Sequence, residues 1–203
     1  MTSFYFGPRS LILPLLLFVS ILVSGCVPIN KTRYEKPDLN FSDQKPLFFA
    51  AKGLKVVSKY KSPMRAPNIE HLMPLPPEKA VRRWVEDRIR TVKGSGNRLR
   101  VEIRSAAVTE VALPKTSSFM GLFSGTEQVR LDARVSVALQ VINRSGVVRG
   151  EATVASWNSH TIDKGTKLSE RRVVWFNLVD DLMRDVDTKL ENAAKNHLAA
   201  FMR

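Results

Sequence analysis

The sequence predicts an α+β domain in which two helices cover one face of a mainly antiparallel sheet of about four strands, in the order β-α-β-β-β-α. Two observations predict the helices and the strands. Apolar residues recur at three- and four-residue spacing in two segments, which is typical of amphipathic helices, and alternate with polar residues in others, which is typical of half-buried strands. A third observation separates these elements, because proline and glycine cluster between them.

The first strand and the first helix are separated by a proline-rich loop. Leu47 to Tyr60 is the first strand region, with Gly53 as a bulge or turn. Pro76-Pro77 then starts a helix over Glu78 to Val92, because proline is tolerated in the first helical turn. Gly94-Ser95-Gly96 ends this helix. Its predicted buried stripe consists of Val81, Trp84, Val85, Ile89 and Val92.

Two long strands follow. Apolar and polar residues alternate from Asn97 to Leu113, with a blurred stretch at Ala106-Ala107 that indicates a bulge, and Pro114 ends the strand. The alternation is clearest from Val129 to Ile142. Asn143-Arg144-Ser145-Gly146 then has the composition of a hairpin turn.

The register of this hairpin follows if Ile142 pairs with Val147. Leu139 then faces Gly150, and the large residues of one strand face small residues of the other. Because the returning strand contributes little bulk, we expect a helix to approach the sheet closely there.

A long helix ends the chain. Ser169 is the expected N-cap, and the helix runs from Glu170 to Phe201, over roughly 48 Å. Apolar residues thin out after Leu190, so we expect the last turns to project or bend. The predicted inner stripe consists of Val174, Leu178, Leu182, Val186, Leu190, Ala193, His197 and Phe201.

The N-terminal region is a signal peptide. An apolar segment of roughly 13 residues follows Arg9, which is too short to cross a bilayer. It ends in Val23-Ser24-Gly25-Cys26, which includes the single cysteine of the chain. These four residues resemble the lipobox of bacterial lipoprotein precursors. The resemblance implies cleavage between Gly25 and Cys26 and acylation of Cys26, which would hold the protein on a membrane through its acyl chains.

The alternative is an ordinary secretory signal, which would leave an exported reactive thiol at Cys26. Under the lipoprotein interpretation, residues 1–25 are the signal peptide, 26–46 the acylated N-terminus and a flexible tether of roughly 60 Å, and 47–203 a single periplasmic domain. Val27 follows the cysteine where an aspartate would retain an enterobacterial lipoprotein in the inner membrane. The sequence therefore favours the outer membrane, on its periplasmic side.

The chain is strongly basic, with a formal net charge of +13. An exported domain of this charge attracts anions, which in the periplasm are lipid phosphates, lipopolysaccharide, acidic glycan peptides and acidic protein surfaces. Nucleic acid is the usual partner of so basic a protein, but it is not normally found in the periplasm. We therefore expect no nucleic-acid partner.

Catalytic and metal-binding patterns are missing from the sequence. There is no G-x-S-x-G motif, and His71, His160 and His197 lack the spacing of metal ligands. We expect no cofactor, no metal and no enzymatic activity. The remaining acidic cluster is interpreted as a solvated helix face and not as a catalytic carboxylate pair. It consists of Asp180, Asp181, Asp185 and Asp187.

Two features are candidate binding sites. The first is the sheet face that the helices leave open, because arginine suits bidentate binding of phosphate or carboxylate. Trp157 is expected on the same face, opposite Asp132. The alternative is a solvated face with cross-strand ion pairs. The arginines predicted to share this face are Arg98, Arg100, Arg104, Arg130, Arg134 and Arg149.

The second candidate is the loop from Pro114 to Thr126, which concentrates large apolar side chains. It either folds back over the core or inserts into a partner or a membrane surface. The apolar residues are Phe119, Met120, Leu122 and Phe123.

In size, anchor and α+β layout the chain resembles small envelope lipoproteins, such as the lipopolysaccharide-assembly lipoprotein and the auxiliary lipoproteins of lipid ABC transporters. The resemblance implies a non-enzymatic accessory role in envelope assembly or transport, with an envelope protein as partner. The alternative is a binding module for an anionic envelope ligand, which would be lipopolysaccharide, phospholipid or peptidoglycan.

Overall fold

The computed structural model describes residue 2 and residues 38–93, 96–114 and 127–203. Short 3-10 helices at Glu70–Leu72 and Ala199–Phe201 accompany the main elements. In chain order, the strands and α-helices of the described residues are β1 (Leu47–Ala50), β2 (Leu54–Ser58), α1 (Pro77–Arg88), β3 (Ile89–Val92), β4 (Arg98–Ala112), β5 (Gln128–Ile142), β6 (Val148–Asp163) and α2 (Leu168–His197).

The main sheet has the strand order β2-β4-β5-β6. β4, β5 and β6 are antiparallel neighbours, and β2 adds a parallel strand beside β4. α2 packs on β5 and β6, while α1 packs on β4 and on α2, so both helices lie on one face. The predicted α+β class is therefore confirmed, and so is the mainly antiparallel sheet. No helix in the described ranges combines the length and the apolar character needed to cross a membrane.

The predicted first strand is two strands that belong to different sheets. β1 pairs in parallel with β3 in a small second sheet, whereas β2 pairs with β4. The chain changes sheets around Gly53, whose carbonyl accepts a hydrogen bond from the N–H of Leu99. Each strand is only four or five residues long, so the sequence pattern did not separate them.

The first helix ends earlier than its periodicity predicts. α1 stops at Arg88, and Ile89–Val92 forms β3 in place of a last helical turn. Ile89, Thr91 and Val92 are β-branched, which favours an extended backbone, and β1 provides a hydrogen-bonding partner for it. Ile89 is buried in either conformation, which explains why it fitted the helical stripe.

The hairpin of β5 and β6 was predicted with a register that is wrong by two residues. Leu139 lies opposite Ala152 and not Gly150, and an irregularity beside Ile142 absorbs the difference. Each side chain keeps its face, because side chains alternate with a period of two. The bulge of β4 lies between Ile103 and Ser105, before the position that the sequence suggested.

The C-terminus packs against the domain, so of the two predicted outcomes projection is wrong, whereas the chain does bend after His197 and continues as a 3-10 helix. α2 begins at Leu168, ends at His197 and is followed by Leu198, which is fully buried. Met202 then forms a β-bridge with Phe49. Leu198 provides the apolar contact that the alanine-rich end of the helix lacks.

Residues before β1 also belong to the packed domain. Leu39 and Phe41 are buried in its core, and the N–H of Phe41 donates to Asp87 Oδ2 over 3.1 Å. Asp38 forms an ion pair with Arg83 on α1. The ordered packing therefore begins before Leu47, where the sequence analysis placed the start of the domain.

The small residues of β6 allow the close approach that was predicted. A Cβ atom on Gly150 would lie 2.8 Å from Leu198 Cδ2 and 3.0 Å from Phe201 Cε2. The C-terminal segment thus occupies the space that a side chain at residue 150 would need.

We expect Gly150→Val to lower the free energy of unfolding by about 1–3 kcal/mol, because the added methyl groups overpack this contact. Urea unfolding followed by circular dichroism measures the change. Gly165→Val is the matched control, since a Cβ atom there meets no other atom within 4 Å. Equal losses in the two variants would contradict this account.

Candidate functional site on the open sheet face

The face of the main sheet opposite the helices is open, and it carries the side chains that alternate with the core. The cross-strand register places Arg100, Gln140 and Glu151 in one row across β4, β5 and β6. It places Arg134 beside Trp157 in another row, closer to the start of β5. The predicted arginines therefore fall into different surroundings along the same face.

One end of the face is an ion-pair network. Arg104, the extra residue at the bulge of β4, contacts Glu102 through Nε over 3.0 Å and Glu151 through Nη2 over 2.8 Å. Hydrogen bonds from Thr153 and Gln140 to Glu151, together with this arginine, hold the pKa of the Glu151 carboxyl below its usual value. The guanidinium of Arg104 is therefore engaged by carboxylates of the protein itself.

Arg100 belongs to the same network, because its Nε donates to Gln140 Oε1 over 2.7 Å. Gln140 is almost fully buried although it lies on the open face. The interpretation of the face as a set of cross-strand ion pairs therefore fits this end.

The other end of the face is a cleft of about 760 Å³. Trp157 is 73% exposed beside it, which is unusual for so large an apolar side chain. Arg130 is held by Asp132 at 3.0 Å, whereas Arg134 forms no ion pair with any residue that the structure describes. Residues on the cleft walls include Arg130, Asp132, Arg134, Ser136, Trp157 and Ser159.

This pairing of an exposed indole with a free guanidinium was not predicted. The sequence placed Trp157 on the correct face but opposite Asp132, whereas the observed register places it opposite Arg134. The sequence feature that could have predicted this pairing is a tryptophan at an outward-facing position of a strand with alternating apolar and polar residues. An exposed indole face binds apolar rings and cations, and a free guanidinium binds anions.

The two remaining predicted arginines lie apart from the cleft. Arg98 begins β4, and Arg149 lies beside the irregularity near the start of β6. Both are exposed, and the described parts of the chain offer neither of them an ion-pair partner.

A second cluster of polar groups, which was not predicted from the sequence, surrounds Glu70. Its carboxylate is 3% exposed and accepts hydrogen bonds from Tyr60 Oη at 2.5 Å and Ser62 Oγ at 2.7 Å. The backbone N–H of Val108 on β4 donates to its other oxygen. Glu70 thus ties the loop before α1 to the main sheet. No sequence motif predicts this cluster, because the partners of Glu70 lie in the loop that follows β2 and on β4.

Burial alone would raise the pKa of Glu70, but the hydrogen bonds from Tyr60 and Ser62 outweigh burial, so its pKa lies below the usual value. Burial and the neighbouring carboxylate raise the pKa of Tyr60. The carboxylate therefore stays charged and the phenol stays protonated near neutral pH. The pair is suited to holding structure and not to exchanging a proton.

The acidic cluster on α2 is a solvated face only in part. Asp180 and Asp185 pair with Arg184 and Lys189 one helical turn away. Asp187 contradicts the prediction, because its Oδ1 accepts a hydrogen bond at 2.7 Å from the buried Arg88. The charge of Arg88 needs a carboxylate partner inside the domain.

The described residues contain no group of three His, Cys, Asp or Glu side chains arranged to hold a metal ion. His71 lines a smaller pocket beside Glu70, and His160 and His197 are exposed. Gly25, Cys26 and the apolar loop residues lie outside the described ranges, so the interpretations of those residues stay predictions. The loop residues are Phe119, Met120, Leu122 and Phe123.

No family model matches the chain, and no curated protein matches it. The solved structures that resemble it in part include the following three. A minor lipoprotein from Acinetobacter baumannii shares 9% identity at a TM-score of 0.39, over 72% of this chain and 95% of that one. Rare lipoprotein B from Shewanella oneidensis shares 14% identity at 0.37, over 71% and 95%. A DUF330 protein from Xanthomonas campestris shares 11% at 0.29, over 68% and 81%.

Two of these three proteins are bacterial lipoproteins by description. The low identities and TM-scores describe a partial likeness, and no ligand, partner or process follows from them.

We expect Tyr60→Phe to lower the free energy of unfolding by about 1.5–3 kcal/mol near neutral pH, because a hydrogen bond to a buried charge is lost. The folded pKa of Glu70 lies below its unfolded value, so its contribution is present above the unfolded pKa and disappears as the pH falls through the folded pKa. The difference between wild type and variant should therefore shrink towards about pH 3. Urea unfolding across this pH range measures it.

Ser62→Ala should also lower the free energy of unfolding, since Ser62 donates to the same Glu70 oxygen as Tyr60. Ser145→Ala, in the exposed hairpin turn, is the control and should leave the stability unchanged. A loss for Tyr60→Phe that is constant with pH would contradict the role given to Glu70.

Proposed function

We propose that this protein is a lipoprotein anchored by Cys26 in the bacterial outer membrane, facing the periplasm. It acts there as a non-enzymatic accessory subunit in envelope assembly or transport. The anchor is supported by the lipobox from Val23 to Cys26. The binding role is supported by the cleft in which Trp157 stands beside Arg134. Tryptophan and arginine are among the residue types that contribute most to binding at protein interfaces.

The described part of the domain begins on the helix side of the main sheet, opposite this cleft. Asp38 binds Arg83 on α1, so the chain enters the domain on the helix side of the sheet. The segment between Cys26 and Asp38 can extend over at most about 40 Å. This covalent reach sets the greatest distance between Asp38 and the anchored Cys26.

A second candidate function is the binding of an anionic envelope ligand. Arg134 supports it, because this arginine lines a cleft and has no ion-pair partner among the described residues. The excess of basic residues in the chain adds long-range attraction for anions. The candidate ligands are lipopolysaccharide, phospholipid and peptidoglycan.

The lipid anchor is tested by Cys26→Ala. Without the thiol there is no site for the diacylglyceryl group, so we expect an exported precursor that keeps residues 1–25 and takes up no radiolabelled palmitate. Membrane fractionation and mass spectrometry of the N-terminus measure both effects. Ser24→Ala, which keeps a small residue before the cysteine, is the control and should be processed normally. Palmitate label in Cys26→Ala would contradict the anchor.

The binding role of the cleft is tested with a photoreactive amino acid at Ser159, which lies on its wall. We expect irradiation of cells to give one discrete adduct with a different protein, and Arg134→Ser to reduce the yield of that adduct at least about tenfold, because a central arginine is lost. Arg172→Ser removes the same charge from an exposed position of α2 and should leave the adduct unchanged. An adduct that is indifferent to Arg134 would contradict the proposal.

Arg134→Ser and Arg172→Ser also test the second candidate function, which is the binding of an anionic envelope ligand. Purified full-length protein is mixed with lipopolysaccharide micelles, phosphatidylglycerol vesicles or peptidoglycan sacculi. Binding that weakens steeply with salt, and that falls in Arg134→Ser but not in Arg172→Ser, would support an anionic ligand and identify its source. Absence of binding to all three probes would exclude this function and leave the protein partner.

A further inference from the structure

Within residues 38–93, 96–114 and 127–203, strand β6 forms a free edge of the main sheet. The N–H of Lys164 donates to the carbonyl of Glu127 over 2.7 Å, which fixes the alternation of hydrogen-bonded pairs along β5 and β6. Even-numbered residues of β6 point their backbone groups towards β5. Odd-numbered residues from Glu151 to Thr161 point theirs away from the sheet. Among the described residues, the one partner of these outward groups is the Asn158 side chain, which accepts from the N–H of Ser159.

Apart from α2, which packs on one face of β6 and brings Lys189 to Ser156, this edge lacks the features that usually protect a free strand. Natural edges carry lysine, proline, a bulge or a covering element. From Ala152 to Ile162 the strand has no lysine, no proline and no acidic residue, and its register with β5 is continuous. At about 3.3 Å per residue, the unprotected stretch is roughly 36 Å long. Such an edge is suited to receive another strand.

The sequence of β6 is complementary to a second, antiparallel copy of itself in charge and in side-chain size. With Ser156 at the centre, Arg149 at one end meets Asp163 at the other, so opposite charges face each other twice. Both residues are exposed. Between them, Ala155 meets Trp157, so that a small side chain faces a large one.

We propose that β6 pairs antiparallel with β6 of a second copy, about a two-fold axis through Ser156, so that the two sheets become one. Backbone hydrogen bonding allows this pairing to shift only in steps of two residues. A shift one way places Glu151 opposite Asp163 and stacks Trp157 on itself, and a shift the other way leaves Asp163 without Arg149. The register centred on Ser156 is therefore the one that matches both the charges and the sizes.

The dimer completes the cleft on the open face. Ala155 and Trp157 line this cleft at the free edge of β6. In the paired sheet, Trp157 of the partner subunit lies against Ala155, so each copy contributes a side chain to the cleft of the other. The dimer does not rest on the proposed function, because the edge and its self-complementary register exist whatever the cleft binds.

Disulfide trapping in the full-length protein tests the register. Ser156 would lie opposite its own copy in a non-hydrogen-bonded pair, where Cα atoms are about 4.5 Å apart and a disulfide can form. We expect Ser156→Cys to give a covalent dimer on mild oxidation of membranes, seen on a non-reducing gel. Ser156 is buried beneath α2, where its Oγ accepts a hydrogen bond from Lys189, so the folding of Ser156→Cys is checked by circular dichroism and the oxidation is repeated until the dimer yield is constant. The wild-type chain, whose single cysteine is Cys26, gives the background.

Ala155→Cys is the matched control on the same strand. Its two copies would lie on a diagonal, too far apart for a disulfide, so it should give no dimer above the background. A covalent dimer of Ala155→Cys in place of Ser156→Cys would overturn the register. Absence of a dimer in Ser156→Cys, or a disulfide to a different protein, would overturn the pairing of two copies.

The charges at the ends of the strand give an independent measurement. Arg149→Asp should weaken dimerisation of the detergent-extracted protein about tenfold, because like charges then face each other twice. Arg149→Asp combined with Asp163→Arg restores opposite charges and should restore the dimer. Light scattering measures the dimer fraction, and circular dichroism checks folding. Dimerisation that is unchanged in Arg149→Asp would overturn this register.

Discussion

The charge of Arg88 lies in the interior of the domain, where the side chain is fully buried. Its guanidinium binds Asp187 and Glu191 on α2 and the carbonyl of Lys45 before β1, so it joins α1 to two parts of the chain that are far away in sequence. The indole of Trp84 donates to the same oxygen of Asp187 over 2.7 Å. A buried charge that loses one partner costs about 3–5 kcal/mol, so the position of α1 relative to α2 is tightly constrained.

That constraint determines which face of the sheet stays open. Because α1 and α2 are locked to each other, both cover the same side of the main sheet, and the opposite side keeps its polar residues. Arginine therefore has three roles in one small domain. Arg88 joins the helices, Arg104 neutralises carboxylates across three strands, and Arg134 remains available beside Trp157.

The sequence predicted what depends on periodicity: the fold class, the buried faces of β4 and β5, and the open face with its arginines. It could not predict Arg88, because the partner on α2 lies 99 residues away and leaves no local signal. It misplaced the hairpin register by two residues because such a shift leaves every side chain on its face. It extended α1 into β3 because Ile89 is buried as readily in a strand as in a helix.

The bulge at Arg104 divides the open face into two parts. The extra residue lets the side chain reach across β5 to Glu151 on β6, and Ala138, which lies between Glu102 and Thr153 in the sheet, is fully buried beneath this bridge. Only a small residue at 138 leaves room for it. The bridge itself is therefore electrically compensated, whereas uncompensated positive charge lies on both sides of it, at Arg134 on one side and at Arg98 and Arg149 on the other. An elongated anionic molecule on this face would therefore be attracted at two separate places along the strands, one on each side of the neutral bridge.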